Sequence, residues 1–179
     1  MNAFELPPIK KVAIIGPECT GKSDLSKFLA EQFKTAWVPE YARPFIERLR
    51  RPYQQNDLIT IAHGQLRLED EWERDANQVL ICDTNLYVIK VWSEFKYGNC
   101  EKEILEQIAT RKYDLYLLTY IDIPWEADPQ REHPHQREQL YLHYLTEMKN
   151  QRVPFVEIKG EREQRRKSAV GAIEKLLKG

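Results

Sequence analysis

Eight residues near the start of the chain, Gly16-Pro17-Glu18-Cys19-Thr20-Gly21-Lys22-Ser23, carry the spacing G-x-x-x-x-G-K-S. The chemistry such a stretch can do is phosphate binding. Its glycines let the backbone turn so that several N–H groups point at one spot; the lysine reaches the terminal phosphates and the serine hydroxyl holds Mg²⁺. The flanks support this. Lys11-Val12-Ala13-Ile14-Ile15 before it has strand composition, and Asp24 to Phe33 after it reads as an amphipathic helix, whose positive end adds to the pull on an anion. Gly16 through Asp24 are therefore the expected ATP-binding residues, with Ser23 on the metal. A chance match in an ordinary turn is the competing reading. Cys19 sits near a helix N-terminus, where a thiolate is favoured, and reads either as an oxidation-sensitive thiol or as a residue that simply fits the loop.

Ligands of open α/β sheets bind beyond the carboxyl ends of the strands, so the polar residues just after each strand are the next candidates. Asp83 closes the apolar run Val79-Leu80-Ile81-Cys82. It suits a Mg²⁺ carboxylate opposite Ser23, or it caps the helix beginning near Leu86 in competition with Thr84 and Asn85. Glu40 follows the short strand Ala36-Trp37-Val38. A carboxylate there accepts the proton of an attacking hydroxyl or grips a ribose; the alternative is a surface pair with Arg43. Arg43 offers a planar fork of donors for phosphate, or is a helix-surface arginine. The proline-rich stretch from Asp122 to Arg137 reads as a lid, with Arg131 or Arg137 bringing positive charge to the γ-phosphate in the transition state, or else as a solvated loop. The expected catalytic set is Lys22, Glu40 and Asp83 with Arg131 or Arg137, and Ser23 and Asp83 are expected on the metal.

Other candidates are weaker. His133 and His135 lack partners for a metal site. Tyr41, Tyr87, Trp92 and Tyr97 could each stack on a base, but each could equally be core. The acidic end of a long helix (Glu69, Asp70, Glu71, Glu73) and the run Arg162, Arg165, Arg166, Lys167, interleaved with Glu161 and Glu163, both read as solvated faces.

The elements that must position these residues follow from periodicity. Strands are expected at Lys11–Ile15, Ala36–Val38, Val79–Asp83, Leu115–Thr119 and Val153–Ile158. Pro154 puts the last at a sheet edge or at a strand's start. Helices are expected at about Gly21–Phe33, Phe45–Arg50, Gln55–Asp75, Leu86–Phe95, Glu101–Thr110, Arg137–Asn150 and Glu161–Leu177. Strands alternating with helices imply an α/β fold: one P-loop domain over residues 1–179, with a parallel sheet of about five strands and helices on both faces. The first eight residues, ending in Pro7-Pro8, read as a loose leader.

Composition narrows the function. The 179 residues hold 27 Lys and Arg against 28 Asp and Glu, a net charge of −1, so there is no basic footprint for nucleic acid. No stretch has the length of a membrane span or the apolar core of a signal peptide. Cys19, Cys82 and Cys100 form no paired or metal-spaced pattern, which fits a reducing cytoplasm. A GTPase would show N-K-x-D after the fourth strand; Thr119-Tyr120-Ile121-Asp122 does not match. A small-molecule partner remains, with no nucleic acid and no membrane, while self-association is open.

Taken together, Gly16–Ser23, Glu40-Tyr41-Ala42-Arg43, Asp83-Thr84, Trp125-Glu126-Ala127-Asp128 with Arg131, and Val153–Ile158 resemble the ribosylnicotinamide kinase domain of the bacterial NadR family. The resemblance runs from about Lys11 to Leu177. It implies ATP- and Mg²⁺-dependent phosphorylation of the 5′-hydroxyl of nicotinamide riboside, with Glu40, Tyr41 and Arg43 by the substrate and Arg131 in the lid; the alternatives are another nucleoside or nucleotide kinase, or a regulatory P-loop ATPase. Two departures stand out. Asn85 follows Asp83-Thr84 where the family often has a second aspartate. The nucleotidyltransferase and DNA-binding modules fused in the best-known members have no room here, so a stand-alone kinase is expected.

Overall fold

The computed structural model describes residues 8–179. Apart from Pro8, the leader lies outside the described residues. The apolar runs form five parallel strands, β1 (Lys10–Ile15), β2 (Trp37–Val38), β3 (Val79–Asp83), β4 (Leu115–Thr119) and β5 (Phe155–Ile158), in the order β2-β3-β1-β4-β5. Seven helices connect or follow them: α1 (Lys22–Phe33), α2 (Ala42–Leu49), α3 (Gln55–Trp72), α4 (Leu86–Tyr97), α5 (Lys102–Thr110), α6 (Arg137–Asn150) and α7 (Arg162–Lys178).

The central strands are buried on both faces, as a parallel sheet covered by helices requires. Alternate residues serve opposite layers. Val12, Ile14, Ile81 and Leu117 pack with Leu25 and Leu29 of α1 and Ala169 and Ile173 of α7. Ala13, Ile15, Leu80 and Leu118 pack with Val91 of α4 and Tyr144 and Met148 of α6. A third cluster joins α2, α3, α4 and α5 through Leu58, Ile61, Leu86 and Ile104. The result puts the carboxyl ends of β1, β3 and β4 side by side, where the phosphate loop lies.

Several boundaries shift by a residue or two, and three of the differences stand out. β5 is an edge strand that starts at Phe155, because Pro154 has no N–H to donate; its carbonyl still accepts from Tyr116 N at 2.9 Å. The long helix closes at Trp72 and tightens into a 3₁₀ turn over Glu73–Asp75. α2 opens earlier, at Ala42.

The acidic end of α3 is not simply a solvated face. Glu69 is fully buried, and its carboxylate accepts from the Tyr113 hydroxyl at 2.9 and 2.7 Å. Asp70 pairs with Arg111, and Glu73 with Lys11. Burial pushes the Glu69 carboxyl up to about 7, against the pull of Tyr113, Lys11 and Arg111. The native state therefore keeps a proton that the unfolded chain releases near its ordinary value. Native protons outnumber unfolded ones between those two values, so this contribution is fully present at low pH, falls as pH rises through that window, and levels off above it. Its size is roughly 3 kcal/mol. Glu69→Gln is expected to remove that slope. Urea midpoints at pH 5 and pH 8 check it: the wild-type chain should lose stability relative to the variant at the higher pH, and parallel pH dependences would reject the assignment.

Candidate active site

The loop Gly16–Gly21 leaves β1 and turns into α1 with Gly16, Cys19 and Gly21 at positive φ. Gly16 has a second constraint. A Cβ there would lie 2.5 Å from Thr119 Oγ1 and 2.7 Å from the Thr119 carbonyl oxygen, so only glycine lets the loop close on β4. The two strand ends are then stitched together. Thr20 Oγ1 donates to the Pro17 carbonyl at 2.8 Å and lies 2.7 Å from Thr119 Oγ1, which reaches the Ile15 carbonyl at 3.1 Å.

Two arginines brace the loop from behind. Arg165 is buried and donates to the carbonyls of Thr20 (2.9 Å), Tyr120 (2.7 Å) and Gly160 (2.8 Å) and to Asp122. Its place in α7 is thus no solvated face, and Arg166 beside it lies over the Phe28 ring. Arg137 is also buried, and its Nη2 donates to the carbonyls of Ile121, Ile123 and Cys19. That spends the charge of Arg137 on main chain and leaves Arg131 as the arginine of residues 122–136 that faces the loop. Sequence reasoning missed Arg165 and Thr119 as loop supports.

Lys22, at the first turn of α1, folds its ammonium inward and donates to the carbonyls of Gly16 (3.0 Å) and Pro17 (2.7 Å). Burial lowers its affinity for the proton; Glu40, Asp83 and Glu18 oppose that and Arg131 adds to it. Glu40, just past β2, is raised first by burial, with Lys22 pulling it back. Asp83, at the end of β3, is raised by burial and lowered by the Ser23 hydroxyl and Lys22. One cation and two carboxylates thus share a desolvated cluster at the loop's mouth.

Asp83 does not cap α4. Asn85 does so, accepting from Tyr87 N at 3.1 Å. Asp83 Oδ1 is buried without a partner, a state that suits a cation or its water. Among the described residues, no cluster of three or more His, Cys, Asp or Glu could chelate a metal alone. A magnesium ion held by Ser23 and Asp83 would need further oxygen ligands, from phosphate and water, to complete its shell.

Glu40 is not spent on Arg43, whose guanidinium pairs with Asp128 of the lid at 3.1 Å. Lys22, Ser23, Glu40, Arg43 and Arg131 line a cavity of about 310 Å³ whose apolar wall is built by Ile46, Val88, Trp92, Leu140 and Tyr144. Asp83 lies behind that surface. Tyr41 differs from its expected place: its ring packs on Gly64 and Phe45 and its N–H donates to Gln65 Oε1 at 2.9 Å, outside the cavity. Of the candidate stacking residues only Trp92 reaches it; Tyr87 packs edge-on against Tyr116, and Tyr97 borders Lys96. A second groove of about 790 Å³ opens beyond Arg131, between the loop and the start of α7, lined by Asp24, Ile123, Gly160 and Arg162.

Residues 122–136 contain no helix or strand and lie over the loop. Cys19 Sγ meets Glu126 N at 3.2 Å and Arg131 Nη1 at 3.3 Å, which ties the lid to the loop's apex. Cys19, Cys82 and Cys100 are free thiols. Among the described residues no helix is long and apolar enough to cross a membrane.

Comparison with known proteins agrees with this architecture. A family model described as AAA domain matches residues 11–165. The trifunctional NAD biosynthesis/regulator proteins NadR of Salmonella typhimurium and Escherichia coli are each 29% identical over 127 residues, covering 67% of this chain and 30% of theirs. The chain thus spans under a third of the length of these relatives. Among solved structures, a NadR protein in complex with NR superposes with a TM-score of 0.78 at 21% identity, over 96% of this chain and 50% of that one. A deoxyadenosine kinase from M. mycoides gives 0.64 at 14% identity, over 92% and 99%. At these identities the likeness is one of fold.

Proposed function

The chain belongs to the AAA domain family, and from that premise we propose that it is an ATP-dependent kinase that phosphorylates the 5′-hydroxyl of nicotinamide riboside, giving nicotinamide mononucleotide. The observation that carries the reading is the shared cluster. Lys22 and Glu40 face one cavity that has a phosphate loop on one side and an apolar, aromatic wall on the other. Its volume of about 310 Å³ is at the small end of ligand sites, ~300–1,000 Å³, which favours a nucleoside over a larger acceptor. The NadR protein solved with NR and the one solved with NAD and AMP-PNP support the choice of acceptor and donor. Trp92 and Tyr144 offer aromatic surface to a ring that carries positive charge, an arrangement worth ~0.5–2 kcal/mol.

Bound Mg·ATP supplies the phosphoryl group and the metal's share of charge neutralisation. The chain's residues do the remainder. Loop N–H groups and the N-terminus of α1 hold phosphate oxygens, and Ser23 and Asp83 hold the metal. Glu40 orients the 5′-hydroxyl and takes its proton. Lys22 and Arg131 meet the charge that spreads over the transferring group, and the lid excludes water. The groove beyond Arg131 takes the nucleoside end of ATP. The elements together are read as one kinase domain with a lid, and the three free thiols suit a reducing cytoplasm.

ADP release with Mg·ATP, measured against nicotinamide riboside, the common ribo- and deoxyribonucleosides, and no acceptor, tests the reading. Turnover on nicotinamide riboside alone is expected. Turnover on another nucleoside would replace the acceptor, and ADP release indifferent to every acceptor would replace the kinase with a regulatory ATPase.

A further inference from the structure

Three parts of the molecule meet at residue 132. Glu18, in the phosphate loop, accepts backbone N–H bonds from Glu132 at 3.0 Å and His133 at 3.1 Å. The Glu132 side chain runs the other way. It accepts from the Tyr53 hydroxyl at 2.9 Å and from Lys96 Nζ at 3.0 and 3.1 Å. Tyr53 is buried between α2 and α3, and the Lys96 ammonium sits 3.8 Å from its ring centroid. The Tyr53 ring in turn packs on Trp92, centroid to centroid 4.6 Å, and Trp92 is part of the cavity wall. The residue just before this anchor is Arg131.

An arginine on a long flexible stem cannot hold a geometry by itself. A near-attack arrangement is lost with displacements of about 1 Å, and ordering a loop without regular structure costs conformational entropy at every residue. Something must pin the backbone beside Arg131. The Arg43–Asp128 pair, three residues before Arg131, is a single half-exposed contact with α2. At residue 132, by contrast, the main chain is held from the phosphate loop and the side chain from the acceptor wall.

We propose that Glu132 is a positioning residue: gripped by Tyr53 and Lys96 on the acceptor side and by Glu18 on the phosphate side, it sets Arg131 against the loop. The inference deepens the kinase reading and rests on it for the role of Arg131. It also links the two sites, because an acceptor seated against Trp92 packs directly in front of the Tyr53 ring that holds the anchor.

The test uses the full chain with Lys96→Met, Glu132→Ala and the conservative Lys96→Arg. Lys96→Met and Glu132→Ala are expected to lower kcat about tenfold to a hundredfold with KM for ATP nearly unchanged, and to raise amide hydrogen exchange across residues 130–133 while the melting temperature holds. Lys96→Arg, which keeps the cation, restores both. Exchange is read without turnover, so the two ideas separate. A wild-type chain that phosphorylates no acceptor, with variants that still release the lid, defeats the kinase reading and leaves the anchor. Unchanged exchange in both disruptive variants, or normal kcat in an active enzyme, overturns the anchor.

Discussion

Replacing Lys22 with methionine is expected to lower kcat by about a thousandfold or more, with the fold retained. Methionine keeps the apolar stem and deletes the charge. The ammonium lies inward beside two carboxylates, half-buried Glu40 and buried Asp83, and burial already strains its protonated state. That placement has little structural purpose. Two loop carbonyls accept from Lys22, and both can be satisfied by water in the variant. The placement makes chemical sense when negative charge arrives at the loop: the lysine leaves the carbonyls of Gly16 and Pro17 for phosphate oxygens and neutralises charge in a site with little water to do so. Its loss also removes the one cation that lowers both Glu40 and Asp83, which raises both further. ADP release with acceptor, alongside a thermal melt, checks the expectation. Full activity in a folded Lys22→Met chain would refute the assignment of the loop.

Much of the scaffold was legible because its signals are local. Val79–Asp83, Leu115–Thr119 and Arg137–Asn150 have the bounds that apolar runs and helical periodicity predict. The phosphate loop was legible for the same reason: its glycines, lysine and serine lie within eight residues. What could not be read depends on distant partners. Arg165 looks like one more charge in a polar helix until the sheet order brings it to Thr20, 145 residues earlier. Glu69 looks solvated until the turn into β4 delivers the Tyr113 hydroxyl. By residue type and position alone Arg131 and Arg137 are alternatives; the resemblance picks Arg131, and the closure of α6 on the strand ends consumes Arg137. Tyr41 follows Glu40 in the chain, yet the turn into α2 sends its ring to Gly64 rather than to the cavity.

Glu40→Gln is expected to lower kcat by about a hundredfold, within the span measured for positioned acid–base groups, while KM for ATP stays within a few-fold. Glutamine preserves shape and removes both the charge and the ability to take a proton. Two physical roles predict that loss, and pH separates them. Burial holds the Glu40 carboxyl above its ordinary value, so a base role places an acid limb in the kcat profile: turnover falls as pH drops through the raised value. Glu40→Gln then abolishes that limb and leaves a flat, low profile on the acid side. If Glu40 instead serves to keep Lys22 charged, the limb that moves is the alkaline one. Lys22 is already lowered by burial and supported first by Glu40, so neutralising the carboxyl lowers it further and turnover falls at a lower pH than in the wild-type chain. The geometry favours the base. Glu40 lines the cavity, Arg43 is committed to Asp128, and Asp83, the other carboxylate beside Lys22, is buried outside the lining and held by the Ser23 hydroxyl. A Glu40→Gln profile that keeps its acid limb and loses only ATP affinity would move the acceptor site away from Glu40.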